Sequence, residues 1–176
     1  MLGKRSSSVF SVPPRLALAP KSYEEINLAS KALCGKGVSK QAFYLLPKIR
    51  EAEALLRSPN SDGLDWLETH PELCFSSFNG AVPMEDNKKT EAGFGERKSV
   101  LARHIPARTI DRLLRSLMAS VPRAQCARDD MVDALVCGVL ARLDATARGC
   151  LPPGKRDFDE VGLPMRICYP IPTAFQ

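Results

Sequence analysis

The sequence predicts an α/β fold that is rich in helices and has few strands of its own. Apolar residues recur at helical spacing over most of the 176 residues. A strand-like pattern is confined to residues 64–69 and, as an edge strand or an extended tail, to 165–169. An apolar content of 44% with modest charge excludes a disordered chain. The expected organisation is a single domain over 1–176, with a loop at 1–21, a core at 22–151 and an extended tail at 152–176.

The helices are expected in the following order. Ser22 stands three residues before Glu25, which is the spacing of a capping box, and Gly35 supplies the stop of this first helix. Ser39 caps a second helix that runs to about Arg57. The remaining patterns predict helices over about 90–103, from about 110 to before Pro122, and over about 129–148.

Residues 64–69 carry an imperfect alternation of apolar and polar side chains, which predicts a strand. Pro71 ends this strand, because proline has no N–H to donate to a sheet. A brief turn or half-helix is expected over 75–80. The chain's single tryptophan, Trp66, is expected in the core.

Charge and cysteine content narrow the function classes. A net charge of +5 is equally compatible with plain solubility and with an anionic partner such as nucleic acid. The six cysteines include no Cys-x-x-Cys pair, so we interpret them as reduced residues of a cytoplasmic protein. No run of about 18 apolar residues exists, and we therefore expect no membrane partner.

Two aspartates open the last predicted helix. Asp130 and Asp133 are three residues apart, so their carboxylates lie within roughly 60° of each other on one helix face. Aspartates in a first turn commonly cap free N–H groups, and this is the preferred interpretation for Asp129. Capping explains Asp133 less well, because it lies beyond the cap and flanks the apolar stripe.

Several motifs in order along the chain resemble a family of uncharacterised proteins described as predicted RNase H-like nucleases. The matching segments are Ser7–Phe10 with Pro13–Arg15, Gly37–Ala42 with Leu46–Glu51, Thr69–Phe75, Lys88–Thr90, Gly95–Arg97, Asp129–Ala134 and Gly162–Met165. The resemblance covers nearly the whole chain and implies an RNase H-like fold. It also implies metal-dependent cleavage of phosphodiester bonds in DNA or RNA.

The resemblance further implies a set of site residues. Asp130-x-x-Asp133-Ala134 is similar to the last acidic motif of Holliday-junction resolvases, in which it meets a strand-end glutamate, matched here by Glu68. Hard oxygen ligands suit Mg²⁺ or Mn²⁺. The implied catalytic residues are Glu68, His70, Glu72, Asp130 and Asp133, of which Glu68, Asp130 and Asp133 would hold the metal. Lys88, Lys89 and Arg97, with Lys98 as a further candidate, would neutralise phosphates. His70 would either shuttle a proton or hold the loop by a hydrogen bond.

One feature of the chain departs from the family pattern. Members of this fold begin with a strand that carries a metal-binding aspartate, whereas here no Asp or Glu precedes Glu24. Relative to the family, the chain therefore reads as N-terminally incomplete. Two alternatives to an active nuclease follow from this: an inactive relative that binds nucleic acid, and a protein-interaction subunit. The chain is also expected to form a homo-oligomer or to accept strands from a partner chain.

Overall fold

The computed structural model describes residues 14, 15, 22–154 and 157–172, so most of the predicted loop at 1–21 and the last four residues of the tail lie outside it. The chain divides into two compact units, one ending at Trp66 and one containing Leu67 onward. The helices of the described part are α1 (Tyr23–Cys34), α2 (Lys40–Leu56), α3 (Pro71–Phe78), α4 (Glu91–Leu101), α5 (Ala107–Ser120) and α6 (Arg128–Ala141). The strands are β1 (Arg148–Leu151) and β2 (Ile167–Pro170). The predicted helix-rich α/β class with few strands is confirmed.

The first unit contains α1 and α2. The Ser22 hydroxyl accepts a hydrogen bond from the Glu25 amide, and the Glu25 carboxylate accepts one from the Ser22 amide, so the predicted capping box is confirmed. Ser39 caps α2 through the Ala42 amide, also as predicted. The small core of this unit is formed by Ile26, Val38, Ala42 and Leu46.

The second unit contains α3 to α6 and both strands. Helix α3 packs against α6, α4 and β2, and every residue from Glu72 to Phe78 is buried. The apolar face predicted for α6 forms part of the same core. The fully enclosed side chains at the centre of this unit include Cys74, Phe75, Leu101, Ile110, Val132, Val136 and Leu140.

The two strands form a short antiparallel hairpin in which Arg148 faces Pro170 and Leu151 faces Ile167. The predicted strand over 64–69 is wrong, because only Thr69 forms a bridge, parallel to Cys168, and 64–68 has no regular structure. The chain from Pro71 is helical instead. Proline fits the first position of a helix, where its missing N–H has no partner to lose, and so Pro71 starts α3.

Two further expectations are corrected. The last long helix ends at Ala141 rather than near residue 148. The Arg148 guanidinium turns back to donate hydrogen bonds to the Leu143 carbonyl, while the Arg148 backbone joins β1. Trp66 is 41% exposed, so its predicted place in the core is wrong. Within the described ranges, no helix is both long and apolar enough to cross a membrane.

Candidate functional site

The deepest charges of the second unit are an ion pair between α3 and α4. Arg97 Nη2 donates to Glu72 Oε1 at 2.6 Å, and the arginine side chain is only 1% exposed. Glu72 lies in the first turn of α3, where a carboxylate also answers the positive end of the helix dipole. Arg97 Nη1 donates to the carbonyls of Gly93 and Asp86. The guanidinium therefore connects two helices to the loop that precedes α4.

That loop, residues 85–90, is fixed in place by backbone and side-chain bonds. The Glu96 carboxylate accepts hydrogen bonds from the amides of Glu85 and Asp86 at 2.8 and 3.2 Å. The Thr90 hydroxyl caps α4 by accepting from the Gly93 amide and donates to the carbonyl of residue 87. A Cβ at Gly93 would lie 2.1 Å from that same carbonyl oxygen, so glycine is required there. These hydrogen bonds hold the loop in one conformation and so give Lys88 a defined position.

Lys88 reaches the amino-terminal turn of α6. Its Nζ lies 2.7 Å from Asp133 Oδ2, 3.2 Å from Asp129 Oδ2 and 3.8 Å from Asp130 Oδ1. Burial lowers the pKa of Lys88, but the hydrogen bonds and charges of Asp133 and Asp129 outweigh it, and the net pKa is raised. The lysine is therefore charged at neutral pH. We call Lys88, Asp129, Asp130 and Asp133 the acidic corner.

Asp133 is the most enclosed aspartate of the acidic corner, with 16% of its side chain exposed. Burial raises the pKa of Asp133, and the nearby Glu72 charge raises it further, while Lys88 and Arg97 oppose the shift. Among the described residues, its buried Oδ1 has no hydrogen-bond partner. An ion pair usually lowers the pKa of a carboxyl, so here the loss of solvent outweighs the attraction of Lys88.

The contacts of Asp129 and Asp130 differ from those that the sequence predicted for them. Asp130 is the third residue of α6, and its carboxylate reaches back to accept a long hydrogen bond of 3.4 Å from the amide of Ala127, the N-cap residue. Asp129, which was expected to be the cap, is largely buried and forms an ion pair with Lys88 instead. Asp129 lies in the first turn of α6, where a carboxylate is favoured by the helix dipole, but it makes no capping hydrogen bond among the described residues.

Glu68 and His70 lie in the segment of the second unit that precedes α3. Glu68 is exposed as a residue, yet neighbouring atoms shield its carboxyl enough to raise its pKa. Its carbonyl accepts a hydrogen bond from the Cys168 amide at 2.7 Å. His70 begins α3, and its carbonyl accepts from the amides of Leu73 and Cys74. The catalytic roles of Glu68 and His70 stay predictions.

The basic residues predicted to meet phosphate are placed unequally. Lys88 and Arg97 are both ion-paired within the protein, whereas Lys89 is exposed. Lys98 forms a 2.6 Å pair with Asp111, which connects α4 to α5. Lys89 is therefore the member of this set whose ammonium is best placed for contact with an anion from solvent.

The carboxylate oxygens suit Mg²⁺ or Mn²⁺ by their chemistry, but their arrangement does not fit a metal centre. Within residues 22–154 and 157–172, no three His, Cys, Asp or Glu side chains converge in a way that could hold a metal ion. The ammonium of Lys88 lies among the aspartates, where a bound cation would be expected. Glu68, Asp130 and Asp133 are thus not assembled as a ligand set, and metal binding stays a prediction.

Comparison with known proteins identifies the family. The family model described as "Protein of unknown function (DUF429)" matches residues 1–157. The chain belongs to this DUF429 family. No curated protein matches the chain. No solved structure matches it either.

For this DUF429 chain, sequence reasoning missed two residues that organise the site. Asp129 belongs to the acidic corner through its ion pair with Lys88, and only the folded position of Lys88 reveals this. Glu96 ties down residues 85 and 86 and stands beside Arg97 in the segment Gly95–Arg97. Gly95–Arg97 is one of the family-like segments, so the sequence carries a signal for Glu96, but the role of its carboxylate depends on the fold of the loop.

Proposed function

We propose that this chain acts on nucleic acid as an RNase H-like phosphodiester hydrolase, with the acidic corner and the Glu72–Arg97 pair as its active site. The proposal rests chiefly on Asp133, a mostly buried carboxylate whose Oδ1 has no hydrogen-bond partner among the described residues. Burying such a group costs stability. Groups of this kind, with a pKa raised by burial and by a specific neighbour, concentrate at functional sites.

Hydrolysis of a phosphodiester needs a base for the attacking water and positive charge near the phosphoryl oxygens. In this proposal Asp133 accepts the proton of water through its free oxygen. Arg97 holds Glu72 in one orientation through the 2.6 Å bond, and the Glu72 charge in turn raises the pKa of Asp133. Lys89, which is exposed and follows Lys88 in the chain, contacts the phosphate backbone.

A second candidate is a relative that binds nucleic acid or protein without cleaving. The position of Lys88 favours it, because an ammonium already neutralises the aspartates that a metal would need. Exposed apolar side chains on the helices of the first unit, among them Leu28 and Tyr44, favour a protein partner, either a second copy or a strand-donating chain. The cytoplasmic location stays part of this proposal.

A cleavage assay tests the first candidate. Labelled single-stranded, duplex, hybrid and four-way-junction substrates of DNA and RNA are incubated with the chain in Mg²⁺, in Mn²⁺ and in chelator. We expect cleavage by the wild type that is at least 100-fold slower in Asp133→Asn, because the base is lost. Asp62→Asn is the matched control, since Asp62 is an exposed turn residue of the first unit.

Binding measurements separate the two candidates. Absence of cleavage under every condition, together with oligonucleotide binding that weakens steeply as salt rises, would support the binding relative. Absence of both cleavage and binding, with salt-independent self-association, would support the protein-interaction subunit. Cleavage that survives unchanged in Asp133→Asn would move the active site away from the acidic corner.

A further inference from the structure

Two cysteines face each other across the hairpin of the second unit. Cys150 of β1 and Cys168 of β2 are directly opposite in the register, and their Sγ atoms are 3.1 Å apart. Both thiols are free. The distance is longer than a disulfide bond and shorter than the spacing of two unrelated sulfur atoms, so little movement is needed to join them.

The backbone places this pair at the close-spaced type of position in an antiparallel ladder. The Cys168 amide donates to the Glu68 carbonyl at 2.7 Å, and the Cys168 carbonyl accepts from Thr69 Oγ1 at 2.7 Å. Both backbone groups of Cys168 therefore point away from β1. Opposed residues of this kind have Cα atoms about 4.5 Å apart. That spacing lies within the range that disulfide bonds span, about 4.4–6.8 Å.

We propose that Cys150 and Cys168 form a reversible disulfide when the chain meets a small-molecule disulfide such as oxidised glutathione. The Cys150 thiolate attacks one sulfur of the oxidant, which releases one glutathione thiolate and leaves a mixed disulfide. The Cys168 thiolate then attacks Cys150 Sγ and releases the second glutathione. The two protein thiols are oxidised, the oxidant is reduced to two glutathione thiols, and these take up the two thiol protons.

The order of attack follows from exposure. Cys168 is buried, and burial together with the neighbouring Cys150 raises its pKa to about 11. Cys150 is half-buried and is the more accessible sulfur of the pair. The buried Cys74 is a poor competitor, because burial raises its pKa to about 12. The reaction is therefore expected at Cys150 first and within the hairpin second.

The crosslink would act on the segment that leads to the candidate site. Cys168 is bonded to Glu68 through its amide and to Thr69 through its carbonyl. A covalent bond between β1 and β2 would restrict the movement of β2, which holds residues 68 and 69 by these two hydrogen bonds. These residues directly precede His70. The modification thus gives oxidation a direct structural connection to Glu68, whichever function the acidic corner has.

The test uses the full chain in glutathione buffers of increasing oxidised fraction. Free thiols are blocked with N-ethylmaleimide after equilibration, and peptides are mapped by mass spectrometry without reduction. We expect a linked peptide pair containing Cys150 and Cys168, lighter by two hydrogen masses than the sum of its reduced parts, and its complete reversal by excess reduced glutathione. Cys150→Ser should abolish the linked pair, while Cys126→Ser, which also replaces a half-buried cysteine, should retain it.

The wild-type map decides the proposal even if a variant does not fold. Alkylation of both Cys150 and Cys168 at every glutathione ratio would overturn it. So would a linked pair that joins Cys168 to Cys74 or Cys137, or crosslinks found only between two copies of the chain.

Discussion

Lys88 Nζ lies 2.7 Å from Asp133 Oδ2, so a lysine of the loop before α4 neutralises the most enclosed aspartate of α6. The same ammonium lies 3.2 Å from Asp129. The sequence suggested Lys88 as a phosphate-binding residue and Asp133 as a metal ligand. In the structure these two side chains form an ion pair with each other. The relationship makes Lys88 the first position to change.

Replacing Lys88 by methionine should lower stability and create affinity for divalent cations. Asp129 and Asp133 would lose their counter-ion while staying largely out of solvent, at a cost of about 1–3 kcal/mol in the free energy of unfolding. Added Mn²⁺ should then stabilise Lys88→Met more than the wild type, because the metal binds only the folded arrangement. Urea unfolding with and without Mn²⁺ measures both effects.

Lys89→Met is the matched control, because Lys89 is the neighbouring lysine and is exposed. It should leave stability and the response to Mn²⁺ close to those of the wild type. Equal stabilisation of Lys88→Met, Lys89→Met and the wild type by Mn²⁺ would show that Lys88 does not compete with metal.

How far the sequence could predict this arrangement depends on how local each feature is. The capping box of Ser22 and Glu25 and the cap at Ser39 use neighbours three residues apart, so the local sequence identified them. Strand β1 exists only through its pairing with residues 167–170, and the local pattern read as the end of a helix. A contact across such a separation leaves no local trace.

The candidate site likewise combines local features, which the sequence predicts, with tertiary contacts, which it does not. The one-face placement of Asp130 and Asp133 follows from helix geometry and needed no structure. The pairing of Asp129 with Lys88 depends on where Lys88 lies, and that depends on the hydrogen bonds of Glu96 and Thr90 that fix its loop. The ion pair between residues 88 and 133 is a tertiary contact, and charge counting could not predict it.

Replacing one member of the Glu72–Arg97 ion pair should lower the free energy of unfolding. Arg97→Met leaves a mostly buried carboxylate without its cation, and we expect a loss of about 3–5 kcal/mol in the free energy of unfolding. The double variant Glu72→Gln/Arg97→Met should recover part of that loss, because no uncompensated charge stays buried. Urea unfolding of the two single variants and the double variant forms the cycle.

The exposed pair of Lys48 and Glu51 on α2 serves as the comparison. Glu51→Gln should change stability little, since solvent and salt screen a surface ion pair. Strictly additive losses in the Glu72 and Arg97 cycle would contradict a direct interaction between these two side chains.

Two glycines of α4 should respond in opposite ways to alanine. At Gly93 the added Cβ would lie 2.1 Å from a backbone oxygen of residue 87, so the Lys88 loop must shift. We expect Gly93→Ala to cost about 1–3 kcal/mol in the free energy of unfolding. At Gly95 no atom lies within 4 Å of the added Cβ, and helix propensity should make Gly95→Ala stabilising by up to about 1 kcal/mol. Thermal or urea unfolding of both variants measures the contrast, and equal effects would contradict the packing at residue 87.

Acidification should weaken the second unit through His104, whose ring lies 4.1 Å from the ring of Phe78. Burial lowers the pKa of His104, with a smaller lowering by Arg103 and an opposing backbone hydrogen bond at Phe78. The unfolded chain therefore binds a proton near its ordinary pKa of about 6.5, before the folded chain does. Stability is full above that pH and falls as pH drops from about 6.5 through the lower folded pKa.

Urea unfolding of the wild type and His104→Asn from about pH 7.5 to about pH 5 measures this contribution. The raised pKa of Asp133 has the opposite sign, because there the folded state holds the proton more tightly, but it is common to both chains and cancels in their difference. We expect the wild type to lose stability relative to the variant as pH falls. A difference that is constant with pH would mean that the imidazole of His104 takes up its proton equally well in the folded and unfolded chains.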